Sequence, residues 1–203
     1  MRAFVLLAPK PLSGKTTIAV ALAQALRSGG RTVTLARLGD DGHANADRQL
    51  FTRLAGSQDA ASADIAIMEA AAGEAGSIPA AAGDARAVVI VDAALPAEEI
   101  ANYCAPVSSA LAGVVLNRVP QRRAATVKAD FEAKGLRLLG MVPEDRLLAS
   151  PTLSEVADAL KAERMFFDSN GDRPLDRTLI ASISADPGQG YFTRTQADTV
   201  IVR

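Results

Sequence analysis

The sequence predicts an α/β domain, doubly wound around a mainly parallel sheet, and three observations predict it. Short apolar runs recur at 3–8, 31–36, 63–69, 87–92, 111–117 and 136–142. These runs carry β-branched and aliphatic residues without polar alternation, the pattern of strands buried on both faces. Helix-length segments separate them, so the chain reads strand, helix, strand, helix across residues 1–150.

Each element has its own signal. "KTTIAVALAQALRSGG" (15–30) is an Ala- and Leu-rich helix ending in a Gly pair suited to a helix C-terminus. "PAEEIANYCA" (96–105) reads as a helix with Pro at its first position. The stretch 70–85 is Ala/Gly-rich and reads either as a loop beside the site or as a short helix. "PTLSEVADALKAERM" (151–165) is a helix capped at Thr152, with Glu155 three residues on. Beyond it the composition turns polar and turn-rich, with apolar runs at 179–183 and 200–202. We therefore expect a nucleotide-binding domain over 1–150 and a C-terminal appendage over 151–203, a linker helix followed by the start of a second domain.

Composition sets the bounds. With 203 residues and 49% hydrophobic content, the chain can bury one sizeable core. A net charge of −1 with scattered basic residues lacks the cationic footprint that nucleic acid or an anionic membrane selects, so neither is expected as a partner. Cys104 is the single cysteine, which rules out an internal disulfide and predicts a buried thiol. One His and one Cys build neither a catalytic triad nor a zinc site; His43 and the Arg122-Arg123 pair read as solvated residues. No apolar run reaches the ~18 residues of a membrane span, and the N-terminus has no signal-peptide layout. The expected compartment is the cytoplasm.

The chemistry concentrates at "APKPLSGKTT" (8–17), between the first strand and the first helix. The standard phosphate loop reads G-x-x-x-x-G-K-[ST]; here Pro9 stands at the opening Gly and the second half is intact. Proline fixes φ and has no N–H, so the entrance of the loop must differ. Ser13, Gly14, Lys15, Thr16 and Thr17 keep their amides, which point at phosphate from a loop and a helix N-terminus. In this pattern the Lys15 ammonium neutralises phosphate oxygens and the Thr16 hydroxyl ligates Mg²⁺. Magnesium adds one or two carboxylates. The candidates at the C-terminal ends of strands are Asp47, in the acidic group after the second strand, Glu69 at the end of the third and Asp92 at the end of the fourth; Asp40 and Asp41 read as solvated loop acids.

Lys10, Gly14, Lys15 and Thr16 together resemble the deviant phosphate loop x-K-G-G-x-G-K-[ST] of a large P-loop NTPase group that includes partitioning ATPases and carboxylate-activating ligases, departing from it at Pro11 and Leu12. The resemblance implies that Lys10 reaches the nucleotide of a homodimer partner; an exposed loop lysine is the ordinary alternative. Over about 150 residues the chain also resembles dethiobiotin synthetase and the related N-terminal domain of phosphate acetyltransferase-family proteins. The resembling segments are "GKTTIAVALAQAL", "GDDGHANADRQLF", "ADIAIMEAAAG", "LAGVVLNRV" and "LGMVPED". This resemblance implies ATP and Mg²⁺ as cofactors, Asp47 as a metal ligand, and Glu69 at a metal or substrate position. It further implies adenine contacts from Asn117 and from the backbone near Val142, Pro143 and Glu144. "LIASISADPGQGYF" to the end resembles the opening of a DRTGG domain, which implies an acetyltransferase-type partner domain.

Two departures bear on function. Where dethiobiotin synthetase has a substrate-binding lysine in a K-P pair, this chain has Ala36 and Arg37, and the Gly-rich loop after Glu69 is reduced to Gly73. Nucleotide binding depends on neither. The sequence thus predicts a Mg-ATP-binding protein with slow ATPase or phosphoryl-transfer activity, with Lys15 and Glu69 as its catalytic residues. The alternatives are a non-catalytic nucleotide-sensing module and an ATP-dependent ligase.

Overall fold

A computed structural model describes residues 2–42, 44–55, 63–73, 78, 80–163, 165, 173–181 and 199–202. His43, residues 74–77 of the Ala/Gly-rich stretch and most of the DRTGG-like segment lie outside the described residues. The chain divides into two compact units, Met1–Glu144 and Asp145–Arg203.

In the first unit, β1 (Arg2–Leu7), β2 (Val33–Arg37), β3 (Ile65–Glu69), β4 (Arg86–Asp92), β5 (Leu111–Val119) and β6 (Leu138–Pro143) form one sheet in the order β2-β3-β1-β4-β5-β6. Every pairing in it is parallel. Alternation along each strand sends neighbours to opposite faces. Leu6, Ile67, Val88 and Ile90 pack with Ala19 and Ala23 of α1 (Lys15–Ser28) and Phe51 of α2 (Ala44–Ala55). Val5, Leu7, Val89, Val91 and Leu116 pack on the other side with Ile100 and Cys104 of α3 (Ala97–Cys104) and with Val127 and Phe131 of α4 (Ala124–Ala133). Helices thus cover both faces, which is why the strands read as unbroken apolar runs.

The ends of α1 follow from single residues. Gly30 takes a left-handed φ of 80°, its amide donates to Arg27 O, and the Arg31 amide donates to Leu26 O, a double closure of the C-terminus. Pro96 sits one position before the helix, as the N-cap of α3, and not in the first helical position the sequence predicted. Its extended ψ of 137° sets the entry of the chain into the helix. Within 70–85, residues Ala80–Ala82 form a single 3-10 turn.

Gly113 is where β5 leaves regular pairing: the register with β4 shifts between Ala87 and Val88, leaving Ala112 as the extra residue. Gly113 has φ +155°, and a Cβ there would lie 2.6 Å from Arg137 O and 2.7 Å from Leu139 Cγ. Gly113→Ala is therefore expected to destabilise the fold by about 3 kcal/mol, combining backbone strain with overpacking. Thermal unfolding should show a midpoint roughly 10 °C lower; an unchanged midpoint would contradict this geometry.

Cys104 is 3% exposed, and burial pushes its thiol up to about 11. At pH 8 the native protein should leave a disulfide reagent essentially unreacted, and guanidinium should release the one thiol the chain carries. Rapid stoichiometric labelling of the native protein would contradict its place in the core.

In the second unit, α5 (Leu153–Leu160) starts at a full capping box: Thr152 Oγ1 accepts from the Glu155 amide while Glu155 Oε2 accepts from the Thr152 amide. β7 (Thr178–Ala181) and β8 (Thr199–Val202) pair in parallel. Thr152 forms an antiparallel bridge with Pro174, and Arg146 pairs with Asp176 at 3.2 Å. Among the described residues no helix is long and apolar enough to cross a membrane.

Candidate functional site

The site lies at the C-terminal ends of β1, β2 and β3. β1 runs into the loop 8–14, and α1 begins at Lys15 with Gly14 as its N-cap. Beyond Pro9 and Pro11 the loop carries two left-handed residues, Leu12 (φ 58°) and Gly14 (φ 88°). Ser13 Oγ donates to Lys10 O at 2.8 Å and closes the turn on itself. The first amide of the α1 ladder is that of Ile18, which donates to Gly14 O, so those of Lys15, Thr16 and Thr17 precede it.

A cleft of about 350 Å³ opens above this helix start, lined among others by Pro11 to Thr17, Arg37, Asp41, Asp47, Glu69 and Arg118. The loop is neither collapsed nor plugged. A larger cavity of about 570 Å³ lies among Arg2, Leu26, Arg31 and Asp64, at the opposite end of the sheet, away from the loop.

Within the cleft the charged groups converge on Thr16. Its Oγ1 lies 3.2 Å from Asp47 Oδ1 and 3.1 Å from Glu69 Oε1. A hydroxyl carries one proton and satisfies one of these acceptors at a time. Lys15 Nζ lies 4.0 Å from Glu69 Oε1, and both side chains are almost fully buried. Burial pushes the Lys15 ammonium below its ordinary value, against the attraction of Glu69. Burial likewise raises Glu69, reinforced by the Asp47 charge and opposed by the Thr16 hydrogen bond. Burial thus outweighs the attraction between Lys15 and Glu69 at both ends of the pair.

The donor set fits Mg²⁺. Glu69 Oε2 is buried without a hydrogen-bond partner, and one hydroxyl with two carboxylate oxygens is what Mg²⁺ takes beside phosphate and water. Among the described residues no group of three or more His, Cys, Asp or Glu forms a site that would hold a metal on its own.

The sequence candidates fall into two groups. Ser13, Gly14, Lys15, Thr16, Thr17, Asp47 and Glu69 all line the cleft. Asp92 is engaged elsewhere, accepting from the Ala94 amide at 2.9 Å and from Arg118 Nη1 at 3.1 Å. Lys10 is half-exposed and pairs with Glu99 of α3 at 3.6 Å. Asn117 lies under the loop: its Nδ2 donates to Ser13 O at 3.0 Å. Pro143 ends β6, and the Glu144 amide donates to Val119 O at 3.0 Å, so that donor is already engaged.

Two arginines of the cleft carried no assigned role in the sequence. Arg37 was legible only as the residue standing near a lost lysine, and Arg118 only as the neighbour of Asn117. Arg37 is buried, and its guanidinium donates to Asp47 Oδ2 at 3.3 Å, to Leu38 O at 2.8 Å, to Glu69 O at 3.0 Å and to Asp41 Oδ2. Asp41 is thus a partner of the site and not a free loop acid, whereas Asp40 pairs with Arg48 on the surface. Arg118 sits in a left-handed conformation (φ 54°), and its half-exposed side chain pairs with Asp92.

Comparison with known proteins bears on the fold and the family. Among solved structures, the crystal structure of FlhF complexed with GMPPNP/Mg(2+) is similar at a TM-score of 0.52 and 13% identity, covering 71% of this chain and 68% of that one. The hydrogenase maturation factor HypB from Archaeoglobus fulgidus is similar at a TM-score of 0.47 and 16% identity, covering 70% and 81%. No curated protein is similar enough to match. Residues 5–155 match the CbiA family description, "CobQ/CobB/MinD/ParA nucleotide binding domain". With its six-stranded parallel sheet and its phosphate loop, the chain belongs to this family of P-loop nucleotide-binding domains.

Proposed function

We propose that the protein binds Mg-ATP and hydrolyses it slowly. The observation that carries this reading is the buried Lys15 beside a Thr16 hydroxyl shared by Asp47 and Glu69, above the free amides of a helix N-terminus. The amides of Ser13 to Thr17 would hold the β-phosphate, and Lys15 would neutralise charge on the β- and γ-oxygens. Thr16, Asp47 and Glu69 would hold Mg²⁺, which would supply positive charge against that of the phosphates. Glu69, whose Oε2 is buried without a partner, would serve either the metal or the attacking water, and the reaction would run ATP plus water to ADP plus phosphate. The preference for adenine rests on the resemblance: Asn117 Nδ2 is engaged by Ser13 O, and its oxygen could accept from the exocyclic amine of either purine.

A second reading, a nucleotide sensor whose output belongs to a partner, is supported by Arg37. Its donors are occupied by acids and carbonyls, which argues against that residue serving a second substrate's carboxylate. On the same ground the ligase reading is the weakest of the three. A dethiobiotin-synthetase-like origin, a homodimer with Lys10 acting across it, and an acetyltransferase-type domain following a DRTGG-like segment complete the proposal.

Thermal-shift measurements with ATP, GTP and ADP, with and without Mg²⁺, joined to a phosphate-release assay, test the reading. GTP is included because the FlhF structure holds a guanine nucleotide analogue. The proposal predicts the largest stabilisation with ATP and Mg²⁺ and slow phosphate release; binding with release at background selects the sensor. Equal indifference to all three nucleotides would overturn both.

A further inference from the structure

We propose that Arg37 is the positioning residue of the metal half of the site. It sets how strongly a divalent cation strengthens nucleotide binding, while the phosphate half built on Lys15 stands without it. The inference rests on the nucleotide reading above and assigns the division of labour within it.

Arg37 ends β2, and its side chain is 1% exposed. An arginine so deeply placed is tolerated only when its donors are met, and here they are met by three different elements. Nε takes Asp47 Oδ2 from α2, Nη1 takes the main-chain oxygen of Glu69 from β3 and that of Leu38, and Nη2 takes Asp41 from the loop between β2 and α2. The planar fork thus fixes the backbone at Glu69 and the carboxylate of Asp47 in one rigid frame. The consequence for Asp47 is directional. With Oδ2 held by Arg37, Oδ1 is turned to Thr16, the hydroxyl that Glu69 Oε1 also approaches.

The charges support the same assignment. Asp41, Asp47 and Glu69 are three acids within one small cleft, opposed there by Lys15, Arg37 and Arg118. Lys15 faces the phosphate loop and Glu69, whereas Arg37 meets Asp41 and Asp47 on the side away from the loop. Without Arg37 the two aspartates would repel each other and Glu69, and Asp47 would be free to rotate away from Thr16. A lysine would retain the charge but reach one or two of these acceptors at once, so Arg37→Lys separates geometry from charge.

The test compares the affinity of the full chain for a fluorescent ATP analogue in EDTA and in saturating Mg²⁺, for wild type, Arg37→Lys and Arg37→Met. Circular dichroism confirms folding; if the methionine variant fails to fold, the lysine variant decides. The wild type is expected to gain at least tenfold in affinity from Mg²⁺. Arg37→Lys should cut that gain at least fivefold while leaving the affinity in EDTA within twofold, a split that general loosening of the fold would not produce. An unchanged Mg²⁺ gain in the lysine variant, or a parallel loss of affinity in EDTA, overturns the assignment. A wild type that binds nucleotide with no gain from Mg²⁺ also overturns it. A wild type that binds nucleotide under neither condition refutes the nucleotide reading itself.

Discussion

Replacing Lys15 with Ala is expected to lower Mg-nucleotide affinity at least about 100-fold, while circular dichroism and oligomeric state stay as in the wild type. The size follows from the environment of the ammonium. The Lys15 side chain is nearly buried, burial disfavours its charged form, and Glu69 lies 4.0 Å from it. A polyphosphate arriving there supplies countercharge through charge-assisted hydrogen bonds, each contributing about 1.5–3 kcal/mol. Losing two such bonds, about 3–6 kcal/mol, corresponds to a factor of roughly 150 to 25,000. Equilibrium titration of both proteins with a labelled nucleotide reads the change directly, and affinity within threefold of wild type would remove Lys15 from the phosphate site.

The second large effect is expected at Gly14. Its φ of 88° is strained for any side chain, and an added Cβ would run into Asn117 Nδ2, the atom that braces Ser13 O. Gly14→Ala should therefore displace Asn117, release its strut and shift the loop that presents the phosphate amides. We expect a stability loss of about 2 kcal/mol, from strain and crowding together, and at least a tenfold loss of nucleotide affinity. The crowding term is separable. Asn117→Ala removes the strut alone, and adding it to Gly14→Ala removes the clash, so the double variant should lose less stability than the sum of the singles. Strict additivity would show that the contact between Gly14 and Asn117 is not what limits the loop.

The sheet was legible in the sequence because its strands are buried on both faces. "AFVLLA" and "AVVIVD" have no polar alternation to confuse with a surface strand, and the observed β1 and β4 cover nearly the same residues. Order in the sheet is another matter: that β3 lies between β2 and β1 comes from crossover geometry, to which local pattern is blind. The phosphate loop was legible because its amides, lysine and hydroxyl are contiguous. Arg37 was not, because its meaning lies in partners 1, 4, 10 and 32 residues away that only the fold assembles. Asp92 and Asp47 look alike as acids near the ends of buried segments. What separates them is Arg118, which holds Asp92 outside the cleft, and the start of α2, which delivers Asp47 into it. At Pro96 the helix start differs by one position: the proline stands in the extended N-cap and Ala97 opens α3.

The most direct measurement is a crystal structure with a non-hydrolysable ATP analogue and Mn²⁺, locating the metal by its anomalous signal. The account predicts the β-phosphate against the amides of residues 13–17 and the metal about 2.1 Å from Thr16 Oγ1, with Asp47 and Glu69 around it directly or through water. A metal seated at Asp92, or a nucleotide bound away from the start of α1, would contradict it.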